Sequence, residues 1–248
     1  MDFGRAKNVL IYAFLLLNLV LGYQLWVDAR ESAGSNLDYT SLGDSTQRLM
    51  EEKGIQILAP IPSDTPVMPK LTYRYLNGDK AAGIVQLDQP IDSKLVFSEK
   101  EMAAALKKTI PDINQYKLDP LANLDASDRF ILHPLAEQKW PLFHVNLELY
   151  YSNQKITAYR QSPIEMSTFE EEQQVLPASK ALGTLVELFL PNEAVVQDIT
   201  LGYYGEEFNS DSQVAAPAWR FVLEGGQTYY VQGISGEVIS PKTDKSEE

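Results

Sequence analysis

Residues 9–27, VLIYAFLLLNLVLGYQLWV, run for 19 residues without a charge. As a helix with a rise of about 1.5 Å per residue, such a run is roughly 28 Å long, close to the hydrocarbon thickness of a bilayer. Only Asn18 and Gln24 within it are clearly polar. Tyr23 and Trp26 stand near its end, where amphipathic rings favour the headgroup level. Arg5 and Lys7 precede it, and Asp28, Arg30 and Glu31 follow. Positive charge in a short leader keeps that leader in the cytoplasm, so residues 28–248 are expected on the outer side of the membrane. A cleaved secretory signal is the main competitor, since Val27-Asp28-Ala29 loosely resembles a cleavage site. The apolar core of a signal is usually about 7–15 residues, and Trp26 and Asp28 crowd the site. A buried helix of a soluble protein fits poorly, because this run is apolar on every face and has a basic leader.

The full chain carries 34 acidic and 21 basic side chains, for a formal charge of −13. That surface repels nucleic acid and anionic headgroups, and its plainest meaning is solubility. Cysteine is absent, which excludes disulfides, thiolate nucleophiles and cysteine-ligated metals. With 44% hydrophobic residues the outer part can bury a core.

Beyond the apolar run, residues 28–44 are polar with scattered Gly and Ser and read as a stalk. Residues 45–53 predict a short helix ended by Gly54. Ile55 to Leu58 reads as extended, and prolines 60, 62, 66 and 69 predict a stiff connector. Residues 71–76 alternate like a strand, and Asn77-Gly78 predicts a hairpin back through 82–87. Ser98 and Glu101 suggest a capping box on a helix from 99 to about 109. Residues 142–151 and 155–161 predict a second hairpin, after a strand near 130–132. Ser167 and Thr168 before Glu170, Glu171 and Glu172 suggest a helix start, followed by a helix over 178–189. Strands are expected at 195–204, 217–223, 228–232 and 237–239.

Twice the order is helix, strand, hairpin, over 99–161 and 178–239, as in a structural repeat. The expected class is α+β: an N-terminal transmembrane helix followed by two lobes, each an antiparallel sheet covered by helix. The expected divisions are 1–8 cytoplasmic leader, 9–27 transmembrane helix, 28–69 stalk and Pro-rich connector, 70–166 first lobe, 167–240 second lobe and 241–248 frayed tail.

Neither His133 nor His144 has metal-ligand spacing, and no nucleophile elbow, phosphate loop, dinucleotide fingerprint or calcium loop occurs. No catalytic residue, cofactor or metal is therefore expected. Two candidate interaction faces remain. Asn18 and Gly22, four residues apart, share one face of the apolar helix, where an amide and a small residue suit close helix contact. Tyr203, Trp219 and Tyr229 belong to an aromatic cluster on the last strands. Core packing is its default role, and an exposed docking face is the alternative.

The opening MDFGRAKNVLIYAFLLLNLVLGYQLW resembles the N-terminus of the YycI (WalI) family, whose members begin Met-Asp-aromatic-x-Arg-x-Lys and run into an anchor. The closing AWRFVLEGGQTYYVQGISGEVI, after ITLGYYG, looks like the last sheet of the YycH/YycI superfamily, itself similar to PepSY modules. The resemblance implies a single-pass regulator at the cell membrane of a low-GC Gram-positive bacterium. It implies action, with the paralogue YycH, on the sensor histidine kinase WalK (YycG), which governs cell-wall metabolism. Contacts would run through transmembrane helices and outer domains, with no catalytic residue to carry over. Homo- or hetero-oligomerisation stays open. The rival expectations are a PepSY-like protease inhibitor or chaperone, and a cell-wall hydrolase with paired carboxylates.

Overall fold

The computed structural model describes residues 14, 18 and 21 and residues 42–76, 83–122, 128–205 and 208–239. From residue 42 on their architecture is α+β, with two largely antiparallel sheets and three α-helices. The first helix, α1 (Asp44–Lys53), ends as expected at Gly54, whose φ of 69° is the left-handed conformation that favours glycine. Then come β1 (Gln56–Ile57) and β2 (Val67–Tyr75). A middle block holds β3 (Val85–Asp92), α2 (Glu99–Leu106), β4 (Tyr116–Asp119), β5 (Arg129–Ala136), β6 (Trp140–Pro141), β7 (Leu147–Ser152) and β8 (Lys155–Gln161). The chain closes with β9 (Ile164–Gln174), α3 (Ala178–Leu188), β10 (Val195–Tyr204), β11 (Ser212–Leu223), β12 (Thr228–Gln232) and β13 (Val238–Ile239).

Strand pairing corrects the expected division at 166/167. The middle block forms one sheet, β3-β8-β7-β5-β4, with β6 on β5. The other sheet runs β1-β10-β11-β12-β13, and β2 joins it by pairing with both β11 and β9. A cut at 166/167 would separate β2 from β11, and it would cut β9 in two. The middle block is an insertion into the outer sheet, and its neck is closed by the Leu76 amide donating to the Pro163 carbonyl at 2.9 Å.

Four local expectations change as well. Residues 71–76 and 82–87 are not two arms of a hairpin, because β2 and β3 lie in different sheets. The Asn77-Gly78 pair itself lies outside the described residues. The acidic stretch after Ser167 is strand, not helix: β9 lies antiparallel along β2, with Thr72 opposite Ser167 and Tyr75 opposite Ile164. A long partner outweighs local helix-start chemistry there. Pro69 sits inside β2, a strand with neighbours on both sides, and the register to β9 shifts between Pro69 and Leu71. That bulge is how the sheet accommodates a residue with no amide to donate. At the start of α2, Ser98 makes no side-chain cap bond, so the expected capping box is not formed.

Each sheet carries its own helix-covered core. The outer core packs α3 through Ala178, Ala181, Leu182, Leu185 and Val186, a 3.6-residue spacing, against Leu201, Trp219, Phe221 and Val231. The inserted core packs Met102 and Leu106 of α2 against Leu132, Leu147, Leu149 and Ile156. The two are joined physically: Ala136, Leu142 and Val145 of the inserted block are buried in the outer core.

Among the described residues no helix is long and apolar enough to cross a membrane. The run 9–27 lies outside them except for positions 14, 18 and 21, which are helical and exposed.

Candidate functional site

Alternation along β10, β11 and β12 sends successive side chains to opposite faces of the outer sheet. Leu201, Tyr203, Trp219, Phe221, Tyr229 and Val231 belong to the core under α3. Their neighbours Thr200, Gly202, Tyr204, Arg220 and Tyr230 take the opposite face, which meets the inserted block. The aromatic trio singled out from the sequence is therefore core rather than an exposed face. Tyr203 is 0% exposed, Trp219 1% and Tyr229 7%. The Trp219 indole donates to the Leu176 carbonyl at 2.8 Å, which fixes its ring under α3. Asn18 is exposed on its helical turn, and Gly22 lies outside the described residues.

The opposite face carries the chemistry. Arg220 stands in a strand otherwise nearly all apolar, and it reaches across to the inserted sheet. Its Nη1 donates to Asp119 at the end of β4, and its Nη2 donates to Asp198 of β10 at 3.2 Å. The Asp119 carboxylate also meets Nε2 of His133 at 2.9 Å. The other ring nitrogen of His133 faces the Val145 carbonyl at 3.3 Å. Both partners are acceptors. The Arg220 guanidinium lies 4.7 Å from the centre of the Phe143 ring, within cation–π range. Tyr204 and Tyr230 stack at 3.8 Å, with Phe143 tilted against Tyr230 at 5.6 Å. Gly202 makes the approach possible. A Cβ there would sit 2.7 Å from the Phe143 ring and would collide with the Pro141 carbonyl.

Asp119, His133 and Arg220 are all buried. Burial pushes the Asp119 carboxyl up, but the His133 hydrogen bond and the Arg220 charge outweigh it and hold the group well below the carboxylate range. Burial opposes the charge of Arg220 as well, and Asp119 more than compensates, so its proton is held more tightly than usual. A second ion pair lies on the inserted sheet, where Glu148 accepts both hydrogen bonds from Arg160 at 2.7 Å. Burial raises the Glu148 carboxyl, and the Arg160 and Tyr150 hydrogen bonds bring it below its usual value. A general acid needs a carboxyl held up, so these two carboxylates suit structural pairing rather than the hydrolase expectation. Among the described residues no group of three or more His, Asp or Glu side chains is arranged to hold a metal ion.

Around the Arg220–Asp119 pair the interface leaves two adjoining cavities of about 240 and 230 Å³. Sequence reasoning missed this site. Its signal was Arg220 itself, one charge inside AAPAWRFVL, because a cation in a buried strand requires a partner from elsewhere.

The family model for the YycI protein matches residues 40–234. The chain belongs to the YycI family. No curated protein matches it. Among solved structures it is similar to an uncharacterized protein from Eubacterium rectale ATCC 33656, at 13% identity and a TM-score of 0.37, over 70% of this chain and 68% of that one. It is also similar to YycH from Bacillus subtilis, at 11% identity and a TM-score of 0.36, over 69% of this chain. The chain spans only 39% of that YycH. At TM-scores this low, neither likeness bears on function. Family membership makes the chain a regulator within the WalK (YycG) system at the level of the family.

Proposed function

We propose that the chain is a membrane-anchored, non-enzymatic regulatory subunit that works with YycH on the sensor kinase WalK. The match of the YycI model over residues 40–234 carries this reading. The uncharged run 9–27 with Arg5 and Lys7 before it supports a single-pass anchor with a cytoplasmic N-terminus and an extracytoplasmic bulk. The anchor helix packs against kinase helices through the face that holds Asn18 and Gly22, and the folded part contacts outer domains. Such a subunit changes kinase output only by binding one kinase state more tightly than the other.

The test is association in membranes. Replacing Asn18 and Gly22 by leucine should lower co-purification of the chain with WalK, while the chain itself stays in the membrane fraction. Unchanged co-purification removes that face from the contact. Recovery of the intact, uncut chain in the cytosolic fraction overturns the anchor and the regulatory mechanism with it.

A further inference from the structure

The two cavities beside the Arg220–Asp119 pair differ in character. The first, about 240 Å³, is walled by Leu118, Pro120, Leu121, Pro141 and Phe143. The second, about 230 Å³, is bordered by Asn146, Thr228 and Tyr230. Arg220 and Phe143 line both, so one molecule can span them. Together they reach the size range of small-molecule sites, which pair apolar walls with a few polar groups.

Two polar atoms that border the second cavity are buried and unpartnered: Nε of Arg220 and Oδ1 of Asn146. Arg220 is 7% exposed. One atom is a donor and the other an acceptor, and leaving both unmet is costly in a buried setting. The complement is a molecule that carries both an acceptor and a donor. A charged group is poorly served here. The Arg220 charge is already met by Asp119 and Asp198, so an added charge of either sign meets a like charge as well as an opposite one. Lys117 at the rim is exposed to solvent.

We propose that this cleft binds an uncharged amide-bearing molecule with an aliphatic side chain, such as an aliphatic residue within a peptide. Its carbonyl accepts from Arg220 Nε, its N–H donates to Asn146 Oδ1, and its aliphatic group fills the space beside Leu118 and Leu121. This assignment is independent of the kinase reading, which stands whether or not the cleft is filled. The competing occupant is water, which can satisfy the same two atoms.

The probe is N-acetyl-L-leucinamide, offered to the full chain in detergent micelles and read by saturation-transfer difference NMR. Transfer to the leucine methyls is expected, and zwitterionic L-leucine should bind at least about fivefold more weakly. Leu118→Trp fills the first cavity and should abolish transfer. Asn146→Ala removes one hydrogen bond and should weaken binding about fivefold. Thermal unfolding reports whether each variant is folded, and if Leu118→Trp is not, Asn146→Ala decides. No transfer above that from empty micelles, or equal transfer in the wild type and the folded variants, overturns the proposal and leaves a water-filled seam.

Discussion

Replacing Arg220 by alanine leaves the Asp119 carboxylate buried without its guanidinium. Breaking a buried pair this way costs about 3–5 kcal/mol, and urea unfolding of Arg220→Ala should show a loss of that order. Removing both charges, as in Arg220→Met with Asp119→Leu, should recover much of it, because neither group is then stranded. The pH dependence follows from Asp119, whose folded value is held below its unfolded one. Its contribution is complete above the ordinary carboxylate range and is lost as pH falls through that range toward the depressed value. Urea unfolding at pH 7, 5 and 3 should therefore show the gap between the wild type and Asp119→Asn shrinking as pH drops. A gap that holds constant across that series sinks the assignment. At this scale the sequence was half legible. Trp219 and Tyr203 stand in the sequence between core packing and an exposed docking face, and both are buried; an aromatic side chain does not reveal which face of its sheet is covered. That depends on the inserted block, whose position is set by contacts remote in sequence.

Elements with strong local patterns were readable. The strands at 195–204 and 228–232, α1 with its Gly54 cap and the hairpin turn between β7 and β8 all form where periodicity and turn residues put them. The amphipathic spacing of α3 was equally plain, and Leu182→Ala on its buried face should cost about 2–5 kcal/mol in urea unfolding. What failed were β9 and the pairing of β2. The Ser-Thr-x-Glu-Glu-Glu pattern is a sound helix-start signal, yet an 11-residue partner for β2 is worth more than one helical turn. Where β10 crosses the inserted block, Gly202→Ala has no room for its methyl between Phe143 and Pro141. It should cost about 1–3 kcal/mol by overpacking and lower the thermal midpoint, whereas alanine at Gly83, which has open space around its Cβ position, should be nearly neutral.

For the molecule as a whole, the α+β class and two helix-covered sheets followed from the repeated order of elements. The nesting of one sheet inside the other did not. Nothing in the periodicity of residues 67–75 says that their partners lie beyond residue 163, because strand pairing is a long-range property. Since Ala136, Leu142 and Val145 of the insertion are part of the outer core, the two sheets should unfold together. Tryptophan fluorescence and far-ultraviolet circular dichroism should give coincident urea transitions, and two separated transitions would mean independent domains.

The nesting also dictates how the chain can be made. β2 leaves the ribosome early, yet its partners come much later, with Tyr75 opposite Ile164 and Leu71 opposite Ala215. Until then it is a nine-residue strand with no neighbour on either side. A polypeptide emerging vectorially, N-terminus first, must keep that sticky ribbon from pairing with strangers through most of its synthesis. A product cut short before β9 has nowhere to put it.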